Sequence, residues 1–288
     1  MFVTIAKANP ADADAAEETD LQIHAGPVRF FIQPVQERFK GSMRQTGDIS
    51  RWRLQFFYGT DFEQQIAVSF HENEPPRADW LAQAMWQELA NDSPSTEQIA
   101  RASQWLRGSN SLTLDHYEDR GGQRLICVDG KCLAMFSPKL QKPTFERSVL
   151  LLALACAYRL GIESRMTELG RGERHSKEIA RLALDATRFN AWCYSQHPVG
   201  ISAFDLGKTW TQLATQFRLQ ETNQELVSQL GLLHQIVSEQ KRDQEQRRWH
   251  IASVAIGLFS AVQIIDLLPV GIRTTSWAAI LGLFGGGQ

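Results

Sequence analysis

A basic cluster near the middle of the chain carries side chains that suit ligand binding. The cations recur through a predicted turn and the start of the helix after it, and they are Arg171, Arg174, Lys177 and Arg181. Guanidinium and ammonium groups at this spacing can hold an anion, but an ordinary solvated face of a helical bundle has the same composition. His175 and Glu178, which could share a helix face as metal ligands, are typical of a solvated pair. We therefore expect a small anionic ligand here if the cluster binds anything.

A second group lies in the apolar stretch Ile251–Leu268, whose small and polar residues are candidates for lining a pore. They are Ser253, Gly257, Ser260, Gln263 and Asp266. At 100° per residue, the first three lie within about 60° of one helical face. The same pattern is typical of a small-residue packing face between helices. The Asp266 carboxylate could attract cations at a pore mouth, or it could pair with Arg273 at the membrane surface.

Other motifs indicate no catalytic chemistry. Gly207-Lys208-Thr209 lacks the first glycine and the preceding strand of a phosphate-binding loop. A two-residue turn at Asp129-Gly130 would place Cys127 and Cys132 opposite each other, with spacing that permits a disulfide. Two small buried side chains are the alternative, and a zinc site would need two further ligands. Because no catalytic constellation is readable, we expect no enzyme and no cofactor.

Composition indicates that most of the chain is water-soluble. The 288 residues carry a net charge of -2 and have a hydrophobic fraction of 43%, with a mean hydropathy of -0.28. A membrane portion must therefore be local, and the charge gives no pull toward nucleic acid. Four cysteines are typical of a reducing compartment. The N-terminus has no basic region followed by an apolar core, so no signal peptide is expected.

The predicted fold is α+β, in four parts. We expect a flexible leader over residues 1–26, an α/β cytoplasmic domain over 27–142, an antiparallel helical bundle with a stalk over 143–249 and a transmembrane hairpin over 250–288. In the second part, the strands are expected at Pro27–Val35, Arg51–Tyr58, Gln65–Phe70, Ser111–Glu118, Gln123–Val128 and Lys131–Ser137. Helical spacing of apolar residues predicts helices at Arg77–Ala90 and Glu97–Leu106.

Three long helices with short connections predict the bundle. The first half of the predicted helix Phe145–Leu169 is apolar nearly all round. This apolar run of about 14 residues is too short to span a bilayer, and we expect it to be buried in protein. Glu173–Gln196 has an apolar stripe, and its inward residues are Ile179, Leu182, Ala183, Ala186, Phe189 and Trp192. The third helix begins near Phe204 and includes the stalk Thr209–Trp249. The stalk's coiled-coil-like seam favours a homo-oligomer, and its residues are Leu219, Leu226, Leu230, Leu233 and Val237.

The C-terminal hairpin is expected to lie in the membrane. Ile251–Leu268 would span ~27 Å as a helix, enough for a bilayer core, whereas Ser276–Gly287 would reach only ~18 Å. A buried hairpin in a soluble protein is the alternative. The cations Lys241, Arg242, Arg247 and Arg248 precede the first segment. By the positive-inside rule they place the preceding domain in the cytoplasm of an inner (plasma) membrane protein.

The order of these parts resembles the CorA-like family of divalent cation transporters and channels. In that family an α/β cytoplasmic domain leads to two bundle helices. A long stalk helix then enters the membrane, and a second, short transmembrane helix closes the chain. The chain departs from the family at Leu267–Gly271, where the Gly-Met-Asn signature is absent. The resemblance therefore implies the architecture and a pore gated by the cytoplasmic domain, but not the ion, although a divalent cation is one expected ligand. The expected partners are lipid and copies of this chain, without nucleic acid. A binding or scaffold protein that the hairpin only tethers is the alternative function.

Overall fold

The computed structural model describes residues 1–8, 19–23, 26–46, 49–76, 78–89, 93–170, 176–232, 235 and 253. The chain divides into two compact units, Met1–Gly231 and Leu232–Gln288. We call the first unit the body. The described elements up to residue 231 belong to it.

A large sheet forms the first layer of the body. Its strands and those of a small second sheet are β1 (Phe2–Lys7), β2 (Thr19–Asp20), β3 (Gln22–Ile23), β4 (Gly26–Pro27), β5 (Phe39–Thr46), β6 (Ile49–Phe56), β7 (Gln64–His71), β8 (Ala82–Glu88), β9 (Glu118–Asp119), β10 (Leu125–Asp129) and β11 (Cys132–Ser137). The large sheet has the order β2-β5-β6-β7-β1-β8-β11-β10-β9, and β3 pairs with β4. Its pairs are antiparallel except β8 with β11, which is parallel.

Strand β1 lies at the centre of this sheet, which corrects the prediction of a flexible leader for its residues. Phe2 pairs with His71 on β7 and with Met85 on β8. Val3 and Ile5 are fully buried. Composition misled the prediction because the Ala/Asp/Glu-rich residues that follow β1 dominate the N-terminal segment. Residues 9–18 lie outside the described part of the chain.

A long helix, α3 (Lys142–Gly170), packs on one face of the sheet. Residues 149–158 are 2% exposed or less on all sides of the helix. The sheet covers one side, through β7, β8 and β11, and later helices cover the other. The prediction that this apolar segment is buried in protein is confirmed. Residues of the sheet and of α3, α4 and α5 contribute to one hydrophobic core, which extends across residue 142.

The opposite face of the sheet is covered at one end by helix α2 (Thr96–Arg107). Phe2, Met85 and Phe136 form a second core there with Ala102 and Trp105 of the helix. Ser95 and Gln98 close a capping box at the start of α2, so this predicted helix is confirmed. Over β5, β6 and β7 the residues of this face are polar or small and at least partly exposed.

Strand β8 corrects the predicted helix Arg77–Ala90. Ala82, Ala84 and Met85 are all buried, because β8 is an inner strand with core on both faces. A strand that buries both faces loses the alternation that distinguishes it from a helix. Pairing with β1 and β11 therefore decided the structure of this segment.

The remaining sheet predictions divide between confirmed and wrong. The β6–β7 hairpin is present across a turn at residues 57–63, and β10 and β11 also pair as predicted. The predicted strand Pro27–Val35 is wrong in most of its length, because the short helix α1 (Gln33–Glu37) begins there with a proline in its first turn. Ser111–Glu118 is mainly a turn, with a 3-10 segment at Leu114–His116 before β9.

Helices α4 (Ser176–Trp192) and α5 (Phe204–Gln216) complete the layer outside α3. On α4, Leu182, Ala186 and Phe189 are buried as predicted, whereas Trp192 is 51% exposed. The side chain of Trp192 instead lies beside the cations Arg38 and Arg188. The predicted inward position of Trp192 is therefore wrong. Trp192 is the last residue of α4, and its side chain remains half exposed there.

The predicted stalk is interrupted between α5 and the next helix. Arg218 has φ +52°, and a new helix, α6, is described over residues 219–232. Leu219, Leu226 and Leu230 are buried in the core of the body itself. This part of the predicted seam therefore packs within one chain, while Leu233 and Val237 lie outside the described residues. Among the described residues, no helix combines the length and apolarity needed to cross a membrane. The predicted hairpin lies outside them apart from Ser253.

Candidate functional site

The sequence-predicted site residues are only partly described. In the basic cluster, Lys177 lies in α4 and Arg181 is exposed on the same helix, while Arg171 and Arg174 lie outside the described residues. Of the pore-lining candidates, Ser253 is helical and exposed. The other four are Gly257, Ser260, Gln263 and Asp266, and they also lie outside the described residues.

The two hairpin cysteines do not face each other, which corrects their predicted opposition. The turn consists of Gly130 and Lys131, with Gly130 at φ +56°. Cys127 therefore pairs with Ala134, and Cys132 pairs with Asp129. Both thiols are free, and burial raises the pKa of each to about 11. They behave as packing side chains, because a thiol with a raised pKa is a poor nucleophile at neutral pH.

A polar network joins the sheet edge to α5, and we call it the coupling junction. Its members are Glu118, Arg120, Arg124, Asp205 and Gln212. The Arg120 side chain is only 1% exposed and contacts the Glu118 carboxylate at 2.5 Å. Its Nη2 also donates to Gln212 Oε1 at 2.8 Å, and Gln212 Nε2 donates to Glu118. Arg120 thus contacts one partner on its own strand segment and one on α5.

A second ion pair in the junction strengthens this attachment. Arg124 Nη2 donates to Asp205 Oδ2 at 2.7 Å, across from β9–β10 to the first turn of α5. Asp205 lies where a helix N-terminus favours negative charge. Beyond the junction, the Gly130 amide donates to Gln216 in the last turn of α5. Both ends of α5 are therefore hydrogen-bonded to the sheet edge.

The inner side of α5 is held by buried aromatic residues. Trp210 Nε1 donates to the Gln196 carbonyl oxygen at 2.7 Å, and its ring lies edge-on to Tyr158 of α3. The Tyr158 hydroxyl donates to the Cys193 carbonyl oxygen and accepts from the Ser195 amide. Helix α5 is thereby fixed to α3 and to the turn that follows α4.

A cleft of about 560 Å³ opens where the strands end beside the start of α3. Aromatic walls come from Trp52, Phe70 and Trp86. The Trp52 and Phe70 rings lie 4.5 Å apart, and Trp86 Nε1 donates to Ser137 Oγ at 2.9 Å. A cleft of this volume with aromatic walls suits a ligand of small-molecule size.

The rim of this cleft carries both positively and negatively charged side chains. His71, Glu72 and Lys142 lie on it. Burial and the nearby Arg51 guanidinium lower the pKa of His71, whose Nε2 lies 3.1 Å from Thr4 Oγ1. A lowered pKa keeps this imidazole neutral at physiological pH. The cleft can therefore offer hydrogen bonds, the Lys142 cation and the carboxylates of Glu72 and Glu146 to a ligand that packs on the aromatic walls.

Metal-ligand geometry is absent from the described part of the chain, where no three His, Cys, Asp or Glu residues come together. The coupling junction and the cleft were both missed from the sequence. The pairs Arg120–Gln212 and Arg124–Asp205 join residues 92 and 81 positions apart. Spacing along the chain carries no signal of such contacts, and the polar sequence around Arg120 and Arg124 is typical of an exposed turn.

Comparisons with known proteins leave the chain without an assigned family. No protein-family profile, no curated protein and no solved structure matches it. Function can therefore be inferred only from the geometry of the body and from the sequence that follows it.

Proposed function

We propose that this chain is an oligomeric membrane protein of CorA-like organisation, in which the body controls an ion-conducting pore formed by the C-terminal hairpin. The body would lie in the cytoplasm and the hairpin in the inner (plasma) membrane. The observation that carries control by the body is the burial of Leu219, Leu226 and Leu230 in its core, which attaches α6 to the body. The oligomer is inferred from the sequence alone, because these three leucines pack within one chain. These residues belong to α6, and the chain continues from α6 toward the apolar segment Ile251–Leu268.

The coupling junction supports such control, because it ties α5 to the sheet edge. A shift of the sheet edge relative to α3 would move α5 through Arg120 and Arg124, which are hydrogen-bonded to it. Allosteric control needs two sites and a rigid element between them. The cleft at the start of α3 supplies a first site, and α3 contacts both the sheet and α5.

Ion flux into liposomes tests the proposal. Purified full-length chain should conduct after reconstitution, and neutralising Asp266 with Asp266→Asn should lower cation flux. Arg120→Met should change the conducting fraction without lowering the amount of protein inserted. The matched control is Arg159→Met, because Arg159 is partly exposed and pairs with Glu163 of its own helix, α3. Absence of flux from the unmodified chain, or a monomer in detergent, would sink the proposal.

A second function is a membrane-anchored binding protein in which the hairpin only tethers the body. The cleft favours it, because a ligand site of this size needs no pore. Replacing residues 250–288 with an unrelated membrane anchor separates the two functions. A tether would keep ligand binding and cellular function with the foreign anchor, whereas a pore would lose its function.

A further inference from the structure

On the side of the sheet opposite α3, where the described residues of β5 and β6 are partly or fully exposed, two adjacent strands carry four cations, and we call them the arginine face. Its members are Lys40 and Arg44 of β5 and Arg51 and Arg53 of β6. The register pairs Arg44 with Arg51, Ser42 with Arg53, and Lys40 with Gln55, so these six side chains share one face. Arg51 and Lys40 are exposed, and Arg44 and Arg53 are partly exposed.

The pairing of Arg44 with Arg51 is unfavourable in the isolated body. Directly opposed like charges on neighbouring strands destabilise a sheet. Within the described part of the chain, no carboxylate forms an ion pair with either side chain. On the described residues of β2, β5 and β6, this face carries one acidic side chain, Asp20, opposite Ser42. Around Arg44 and Arg51 the positive charge therefore exceeds the described negative charge, although the whole chain is net negative.

The side chains of the arginine face favour some classes of anionic ligand over others. The aromatic residues of these two strands, Phe39, Trp52 and Phe56, alternate onto the α3 side of the sheet. Single-stranded nucleic acid is usually held by bases stacked on exposed aromatic rings. The exposed ring of Tyr58, beside this face, is already covered by Lys40, whose Nζ lies 3.4 Å from the ring centroid. Guanidinium groups in a row instead match carboxylates, which accept two parallel hydrogen bonds from one arginine.

We propose that the arginine face binds an acidic segment of a partner protein. Carboxylates at alternate positions of an extended segment lie on one side of it, which matches the spacing of cations along β5 and β6. Gln55, opposite Lys40, supplies a side-chain amide that can hydrogen-bond to the backbone of the segment. Binding at this face is independent of whether the hairpin conducts, so the proposal stands or falls separately from the pore.

Fluorescence anisotropy with the full-length chain in detergent tests this surface. The probe is a labelled peptide of alternating Glu and Ser, about twelve residues long so that it spans the sheet. Arg44→Gln with Arg51→Gln should weaken its binding at least about tenfold, as expected when charge-assisted hydrogen bonds are lost. Lys139→Gln with Lys208→Gln removes the same charge elsewhere and should leave binding within about twofold of the unmodified chain.

A conservative variant and competing probes decide the other outcomes. Arg44→Lys with Arg51→Lys keeps the charge and should bind more weakly than the unmodified chain, because lysine lacks the bidentate fork. Equal peptide binding by the unmodified chain and the Arg44/Arg51 glutamine variant would overturn the proposal. So would tighter binding of a single-stranded oligonucleotide, of duplex DNA or of anionic vesicles.

The chain's own acidic residues give the last outcome. Asp12, Asp14, Glu17 and Glu18 precede β2 in the sequence. If replacing these four residues with Asn and Gln raised peptide affinity about tenfold or more, the face would already have an occupant within the chain, and the partner protein would be ruled out as its main ligand. Unchanged affinity supports the partner. The midpoint of thermal unfolding checks that each variant is folded.

Discussion

Arg120 is a buried cation with a half-exposed partner. Its side chain is 1% exposed, that of Glu118 is 50% exposed, and its Nε and Nη1 atoms have no hydrogen-bond partner in the described part of the chain. Such an ion pair loses hydration that the remaining contacts restore only in part. The arginine therefore contributes more to the position of α5 than to the stability of the body.

We predict that Arg120→Met leaves the stability unchanged or raises it by about 1 kcal/mol, because an apolar side chain of similar length removes the desolvation cost. Thermal unfolding of the full chain in detergent measures this. Arg120→Ala should be less stable than Arg120→Met, since it adds a cavity to the lost contacts. A large loss of stability in the methionine variant would show that the ion pair holds the fold together.

The buried thiols make stability fall in alkaline solution. Burial raises the pKa of Cys156 to about 12 and that of Cys127 to about 11, from 9.0. Above pH 9 the unfolded chain loses these protons while the folded chain keeps them, so the free energy of unfolding decreases as pH rises toward 11. Urea unfolding at pH 8 and pH 10.5 should show the decrease.

The control for this prediction is Cys156→Ala, which should reduce the difference between the two pH values. It should not abolish the difference, because burial also raises the pKa of Tyr158 and Tyr117. In the folded chain the cysteines should react slowly with maleimide at pH 7.5. Rapid labelling of Cys156 would contradict the burial described for α3.

At the scale of elements, α3 passes very close to α4 at Gly161. A Cβ atom there would lie 3.2 Å from the Phe189 ring. We predict that Gly161→Leu destabilises the chain by roughly 1–3 kcal/mol through overpacking. Gly161→Ala should cost less, because the helix gains up to ~1 kcal/mol from alanine. Thermal unfolding distinguishes these outcomes, and equal stability of the leucine variant would mean that α4 can move away from α3.

Elements with local signals were predictable from the sequence. Helix α2 has a capping box, the β6–β7 hairpin has a Gly-Thr turn, and α3 has a long apolar run. Strand β8 was not predictable, because burial of both its faces depends on pairing with β1 and β11. The sequence predicts an oligomer interface at Leu219, Leu226 and Leu230, whereas the structure buries them in the body. An apolar stripe does not show whether the surface it packs against belongs to the same chain.

At the scale of the whole molecule, the body contains the described core without the apolar C-terminal segment. We predict that a chain ending at Trp249 stays soluble without detergent and unfolds within a few degrees of the full chain, since Leu226 and Leu230 are retained. Circular dichroism and size-exclusion chromatography measure both. Aggregation of this chain would show that the body depends on residues 250–288.

The central place of β1 also sets an order of events during synthesis. Residues 2–7 leave the ribosome well before their partners on β8, Ala82–Met85, and before the α3 residues that cover them, which follow residue 142. At the usual translation rate of about 5–20 residues per second, this strand waits on the order of ten seconds for α3. During that interval Val3 and Ile5 are accessible to chaperones, although both are fully buried in the folded body.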